Sequence, residues 1–147
     1  MAQTAQATFT PAASSHVAGD VVGGAQEFKS LGQVGQALII VSASLRIANA
    51  SAETSTWALH MFDVTPPSAV ADDGTFLLAA ADYPSYLGSV AFAQTADLGD
   101  TQYIETNNIQ KLIRLRGSSL FGYLVNGTTV TPGAVAHVVT LGVVNAP

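Results

Sequence analysis

Three histidines, His16, His60 and His137, are the side chains best suited to acid–base or metal chemistry in this chain. Each lies in or beside a β-rich run, and none has a second histidine two or four residues away. Asp63 follows His60 by three residues, which on a strand puts it on the opposite face. A zinc site gathered from distant strands stays open but has no local signature. Asp72-Asp73-Gly74 hints at a calcium loop, yet neither alternating oxygen ligands nor a closing glutamate follows. These residues read better as turn and helix-cap positions. Gly117-Ser118-Ser119 is a plain turn without the G-x-S-x-G elbow of a nucleophilic serine. The glycines between Gly19 and Gly24 lack the lysine of a phosphate loop and the dinucleotide spacing. Trp57, Tyr83, Tyr86, Tyr103 and Tyr123 are of the kind that stacks on sugar rings, though core or interface packing explains them more simply. Paired carboxylates for glycoside hydrolysis depend on spacing in three dimensions and stay open. The residues thus point to no enzyme and to no cofactor.

Composition is more informative. Charged residues make up 10% of the 147, where a soluble domain carries roughly a quarter, while 48% are hydrophobic. One core of this size cannot hide so many apolar side chains, so much of the surface is expected to be covered by other protein. The net charge is −5, and only Lys111, Arg114 and Arg116 cluster, which argues against a nucleic-acid face. No run approaches the roughly 18 apolar residues of a membrane span. The opening MAQTAQATFTPAASS has no basic residue and does not read as a secretory signal. Asn49-Ala50-Ser51 and Asn126-Gly127-Thr128 match the glycosylation pattern and read as turns. There is no cysteine, hence no disulfide and no thiolate ligand.

The elements that must position these residues are short β-rich runs separated by Gly, Pro, Asn and Ser. Residues 1–15, rich in Ala, Thr and Gln, read as a flexible arm with Phe9 as its one large apolar side chain, ahead of a single domain over 16–147. His16 to Gly24 reads as a short strand between turns, with another over 25–29. Residues 38–47 alternate cleanly, with Ile39, Val41, Ala43, Leu45 and Ile47 on one face. A polar loop over 49–55 leads to a strand over 56–64, which Thr65-Pro66-Pro67-Ser68 ends. The Ala- and Leu-rich 75–82 is the one helical stretch, preceded by Asp72 and Asp73 and stopped at Pro84. Residues 86–93 resume β character, 96–100 form a loop, and 109–116, 120–125 and 136–144 are further strands. Asn126-Gly127 and Thr131-Pro132-Gly133 provide the late turns. The fold class expected is all-β: one β-sandwich or jelly-roll-like domain with one short helix. Ile39, Val41, Leu45, Trp57, Leu59, Ile113, Leu115, Val139 and Leu141 are expected to be buried.

The ordered segments VAGDVVGG, WALHMFDVTPP, DDGTFLLAAADYPSYLGSV and LFGYLVNGTTVTPGAVAHVVTLGVV together resemble the small β-sandwich virion proteins of tailed bacteriophages, from about Val17 to the C-terminus. These motifs are structural, so no catalytic residue is carried over. The resemblance implies a capsid decoration, or cement, protein on the outside of the virion, made in the host cytoplasm and bridging capsid subunits. Its partners would be the major capsid protein or other virion proteins, and copies of itself as a homo-oligomer, with a trimer the form implied. The arm resembles the extensions by which such proteins reach neighbouring subunits, which makes Phe9, Thr10 and Pro11 the capsid-contact residues. A carbohydrate- or receptor-binding module of a phage particle, working through Trp57 or Tyr86, is the alternative reading.

Overall fold

A computed structural model describes residues 1–48 and 54–147. Most of the expected 49–55 loop, with the Asn49 glycosylation pattern, therefore lies outside the described residues. The described chain forms the strands β1 (Ala2–Phe9), β2 (Val21–Phe28), β3 (Ala37–Ile47), β4 (Trp57–Phe62), β5 (Tyr86–Phe92), β6 (Ala96–Asp97), β7 (Gln102–Arg114), β8 (Leu120–Asn126) and β9 (His137–Asn145). Two antiparallel sheets result, one ordered β1-β9-β3-β7-β6 and the other β2-β8-β4-β5. Setting aside the two-residue β6, these are two four-stranded sheets between which the chain crosses repeatedly, the order of a double-sheet jelly roll. The all-β expectation holds.

The alternation of each long strand puts one set of side chains between the sheets. Phe9, Phe28, Leu38, Ile40, Leu45, Leu59, Leu120, Val139 and Leu141 are sealed from solvent in this core. A smaller apolar layer lies outside the four-stranded sheet. There Val21, Phe62 and Tyr123 are covered by Val70, Phe76 and Leu78 from the segment that follows β4. The sheets approach each other along both open sides. Phe9 and Thr10 lie against Gly23 of β2 on one side, and the Thr106 hydroxyl donates to the Ala91 carbonyl (3.1 Å) on the other. Gly23 has a φ of 74°, and a Cβ there would meet the Thr10 nitrogen at 2.6 Å, so only glycine allows the approach.

Four expectations need correction. Residues 2–9 are not a loose arm but a strand, paired residue by residue with β9 from Ala2–Val144 to Phe9–His137. Alanine and glutamine have weak strand propensity, and partner and burial override it. Ile39 and Val41 are only half-buried. The pairing of β3 with both its neighbours shifts between Ile40 and Ser42. This bulge reverses the phase of the alternation, so Leu38 and Ile40, not Ile39 and Val41, join Ala43, Leu45 and Ile47 in the core. The helix is a 3-10 turn over Ala80–Ser85 that contains Pro84, and the expected start at Thr75 instead bridges to Asp20. The expected strands over 16–24 and 25–29 are replaced by one strand, β2 over Val21–Phe28, broken by a register shift between Val22 and Gln26 where Gly23 and Gly24 take positive φ, while His16 and Asp20 make only isolated bridges to Val130 and Thr75.

Candidate interaction surface

The β3 bulge also decides what the outer face of the five-stranded sheet presents. Ala2, Val144, Ile39 and Leu112 stand in one cross-strand row, and Thr4, Gly142, Ser42 and Asn107 in the next. Neither row carries a charge. Leu112 is 66% exposed and leaves the apolar end of this face open to solvent. Charge enters at both ends of these rows, with Arg114 of β7 just beyond Leu112 on one side, and Glu105 of β7 and Arg46 of β3 on the other. Glu105 accepts hydrogen bonds from Tyr103 (3.0 Å) and Asn107 (3.1 Å), so its charge is held on the sheet. Gln6 donates to the Thr140 hydroxyl across β1 and β9 (3.0 Å). The result is a broad face of small, neutral hydrogen-bonding groups grading into apolar ones.

The three residues read from sequence as a capsid-contact arm are placed differently. Phe9 is fully buried and packs its ring 6.5 Å from that of Phe28. Thr10 is exposed, and Pro11 is buried. Phe9 therefore anchors the chain to its own core and is not available to anchor it elsewhere.

The histidines do not converge on one site, and among the described residues no three His, Asp or Glu side chains are grouped to hold a metal ion. His16 is buried between two acceptors, the Ser14 carbonyl at Nδ1 (3.0 Å) and an Asp72 carboxylate oxygen at Nε2 (2.9 Å). With acceptors at both nitrogens, the site favours the ring that donates twice, the cation. Burial, the largest single influence, pushes its pKa down. The bonds to Asp72 and Ser14 and the charges of Asp72 and Asp73 outweigh it and keep the pKa above the ordinary value. Burial likewise pushes Asp72 up, but the amides of Ala12 and Gly23 (both 2.7 Å), together with His16, hold it below the ordinary carboxylate range. This carboxylate is thus a clasp that ties residues 12–16 to β2 from a turn at 72–73, whereas the helix-cap role does not hold, because the 3-10 turn begins at Ala80 behind Ala79. The pair was not legible in sequence, because its members stand 56 residues apart.

His137 lies edge-on to Trp57, with ring centres 5.4 Å apart, and its Nδ1 faces the Val135 carbonyl (3.0 Å). Burial, aided by the charge of His16, lowers its pKa to about 4. His60 stacks on Phe76 (4.0 Å), bonds to the Tyr86 hydroxyl (3.0 Å), and is lowered by burial. Trp57 is only 4% exposed and Tyr123 is buried, so neither offers a platform to a sugar ring. Among the clustered bases, Arg116 reaches Asp63 (3.3 Å), which neutralises part of the basic run.

No family model and no curated protein matches the chain. Solved structures to which it is similar include a chain from deformed wing virus carrying the GFP gene, with 8% identity and a TM-score of 0.39 over 99% of this chain and 78% of that one. Another is from desmodium yellow mottle tymovirus, with 11% identity and a TM-score of 0.31 over 97% of this chain and 85% of that one. A third is from the native virion of Kashmir bee virus, with 9% identity and a TM-score of 0.31 over 98% of this chain and 72% of that one. Overlap this loose leaves the fold resting on the chain's own strand order.

Proposed function

We propose that this chain is a structural virion protein that works by covering and joining protein surfaces. The observation that supports this reading best is the charge-poor outer face of the five-stranded sheet, with its apolar row through Ile39 and Leu112. Contacts made on such a face strip water from few charges, so apolar burial there, worth roughly 25 cal/mol per Å², is offset less by desolvation. The resemblance to tailed-phage β-sandwich proteins favours a decoration role on the capsid exterior, and the net charge of −5 suits a place away from packaged nucleic acid. The jelly roll serves lectin domains as well as capsid proteins, so the fold alone does not choose between them. The burial of Trp57 and the engagement of Tyr86 with His60 weigh against the carbohydrate-binding alternative.

Quantitative mass spectrometry of particles purified from the source of this sequence tests the proposal. The expected result is many copies of the chain per particle, retained through washing. Absence of the chain from intact particles overturns it.

A further inference from the structure

We infer that β1 is a docking edge for a second copy of this chain, paired antiparallel across a two-fold axis so that the two five-stranded sheets become continuous. An edge strand exposes unpaired N–H and C=O groups, and proteins blunt such edges with charges, bulges or very short strands. Among the described residues, three of the four sheet edges are blunted in these ways. The β2 edge is broken by a bulge at Gly23 and Gly24 and carries Glu27, with Lys29 just beyond. On β5, Gly88 takes a φ of 91° and has the Lys111 ammonium against it. On the fourth edge β6 covers only Gln102 and Tyr103 and bears Asp97, and the rest of that edge, β7, carries Glu105, Lys111 and Arg114 and is irregular where Asn108 and Gln110 take positive φ.

β1 has none of these devices. Its eight residues, AQTAQATF, hold no charge, no proline and no glycine, and its register with β9 is unbroken. Among the described residues it pairs with β9 alone, which leaves every second set of backbone groups facing outward. Gly23 approaches only the Phe9–Thr10 end, and a cleft of about 520 Å³ runs beside Gln6, Ala7 and Thr8.

The strand's own sequence favours a copy of itself as occupant. With Ala5 opposite its mate, Thr4 faces the other copy's Gln6 and Ala2 faces Thr8, all four exposed on the outer side. Such neutral polar pairs stabilise antiparallel ladders, and no like charges meet. The small Ala5 and Ala7 lie on the inner side, where bulk would part the sheets. Glu27 and Lys29 beside the cleft are of opposite sign, so the rim adds no net repulsion. This contact is two-fold, unlike the trimer implied by resemblance, and it does not depend on the virion reading: a chain absent from particles could still pair in this way.

Sedimentation velocity on the full chain tests it, with a two-chain species expected at micromolar concentration. Thr4→Lys with Gln6→Lys sets like charges opposite each other and should abolish that species while leaving circular dichroism unchanged. Thr4→Lys with Gln6→Glu opposes unlike charges and should restore it. Because the chain has no cysteine, an oxidised mixture of Thr4→Cys and Gln6→Cys chains should cross-link far more than either variant alone. A native chain that stays monomeric, or any assembly untouched by the double lysine variant, overturns the inference.

Discussion

Replacing Phe9 with alanine tests whether the first strand belongs to the core. The side chain is fully buried, its ring is tilted against Phe28, and its backbone pairs with His137. Truncating a buried phenylalanine to alanine costs about 3–5 kcal/mol, the transfer of the ring plus the cavity it leaves. That is a large part of the roughly 5–15 kcal/mol by which a domain is stable. At a urea slope of about 2 kcal/mol per molar, the midpoint should fall by about 2 M, and the melting temperature by about 10–16 °C. Trp57, the chain's one tryptophan and only 4% exposed, reports unfolding by its fluorescence. Thr10→Ala, one residue along and exposed, is the control and should move the midpoint by no more than about 0.5 kcal/mol equivalent. If Phe9→Ala behaves like Thr10→Ala, residues 2–9 are an independent arm and the placement of β1 is wrong. By the same reasoning, deleting residues 1–15 should destroy the fold, not merely weaken a contact with a partner.

Other outcomes follow from the charged and glycine positions. His137 has a folded pKa of about 4 against an ordinary value of 6.5, so the unfolded chain takes up more protons between those values, and stability should fall as pH drops from 6.5 toward 4. The full loss is about 3 kcal/mol, and His137→Asn, which keeps a donor toward Val135, should flatten this part of the urea midpoint–pH curve. The His16 pKa is raised, so its contribution is present below 6.5 and lost as pH rises through the folded value; His16→Asn should remove that alkaline decline. Asp72→Ala leaves the amides of Ala12 and Gly23 and the buried His16 ring without their acceptor, and should cost about 3 kcal/mol by chemical denaturation. Gly23→Ala meets both a positive φ and the backbone of Phe9 and Thr10, and should lower the melting temperature by several degrees, whereas Gly99→Ala, which shares the positive φ but has open space, should lower it less.

Much of the architecture was legible in the chain. Trp57, Leu59, Ile113, Leu115, Val139 and Leu141 are buried as their two-residue periodicity requires, and the connection from β8 to β9 runs through Thr131-Pro132-Gly133, whereas Asn126 is the buried last residue of β8 and not the corner of a tight turn. The charge-poor surface was equally plain, since composition alone sets how few charges there are to expose. The first strand was not, because alanine and glutamine say little about pairing. The signal lay in the alternation of Thr4, Gln6 and Thr8 with Ala5, Ala7 and Phe9, which small side chains make faint.

The sequence by itself determined that this is a β protein with a charge-poor exterior, because alternation and composition act locally and need no knowledge of partners. Tertiary structure alone decided three things. It set the phase of β3, since one extra residue at a bulge moves Ile39 from core to surface without altering the residue pattern. It joined His16 to Asp72 across 56 residues, a distance over which no spacing rule operates. It also made β1 an edge, because being an edge depends on which strand lies alongside, and β1 carries none of the residue devices that mark the other edges.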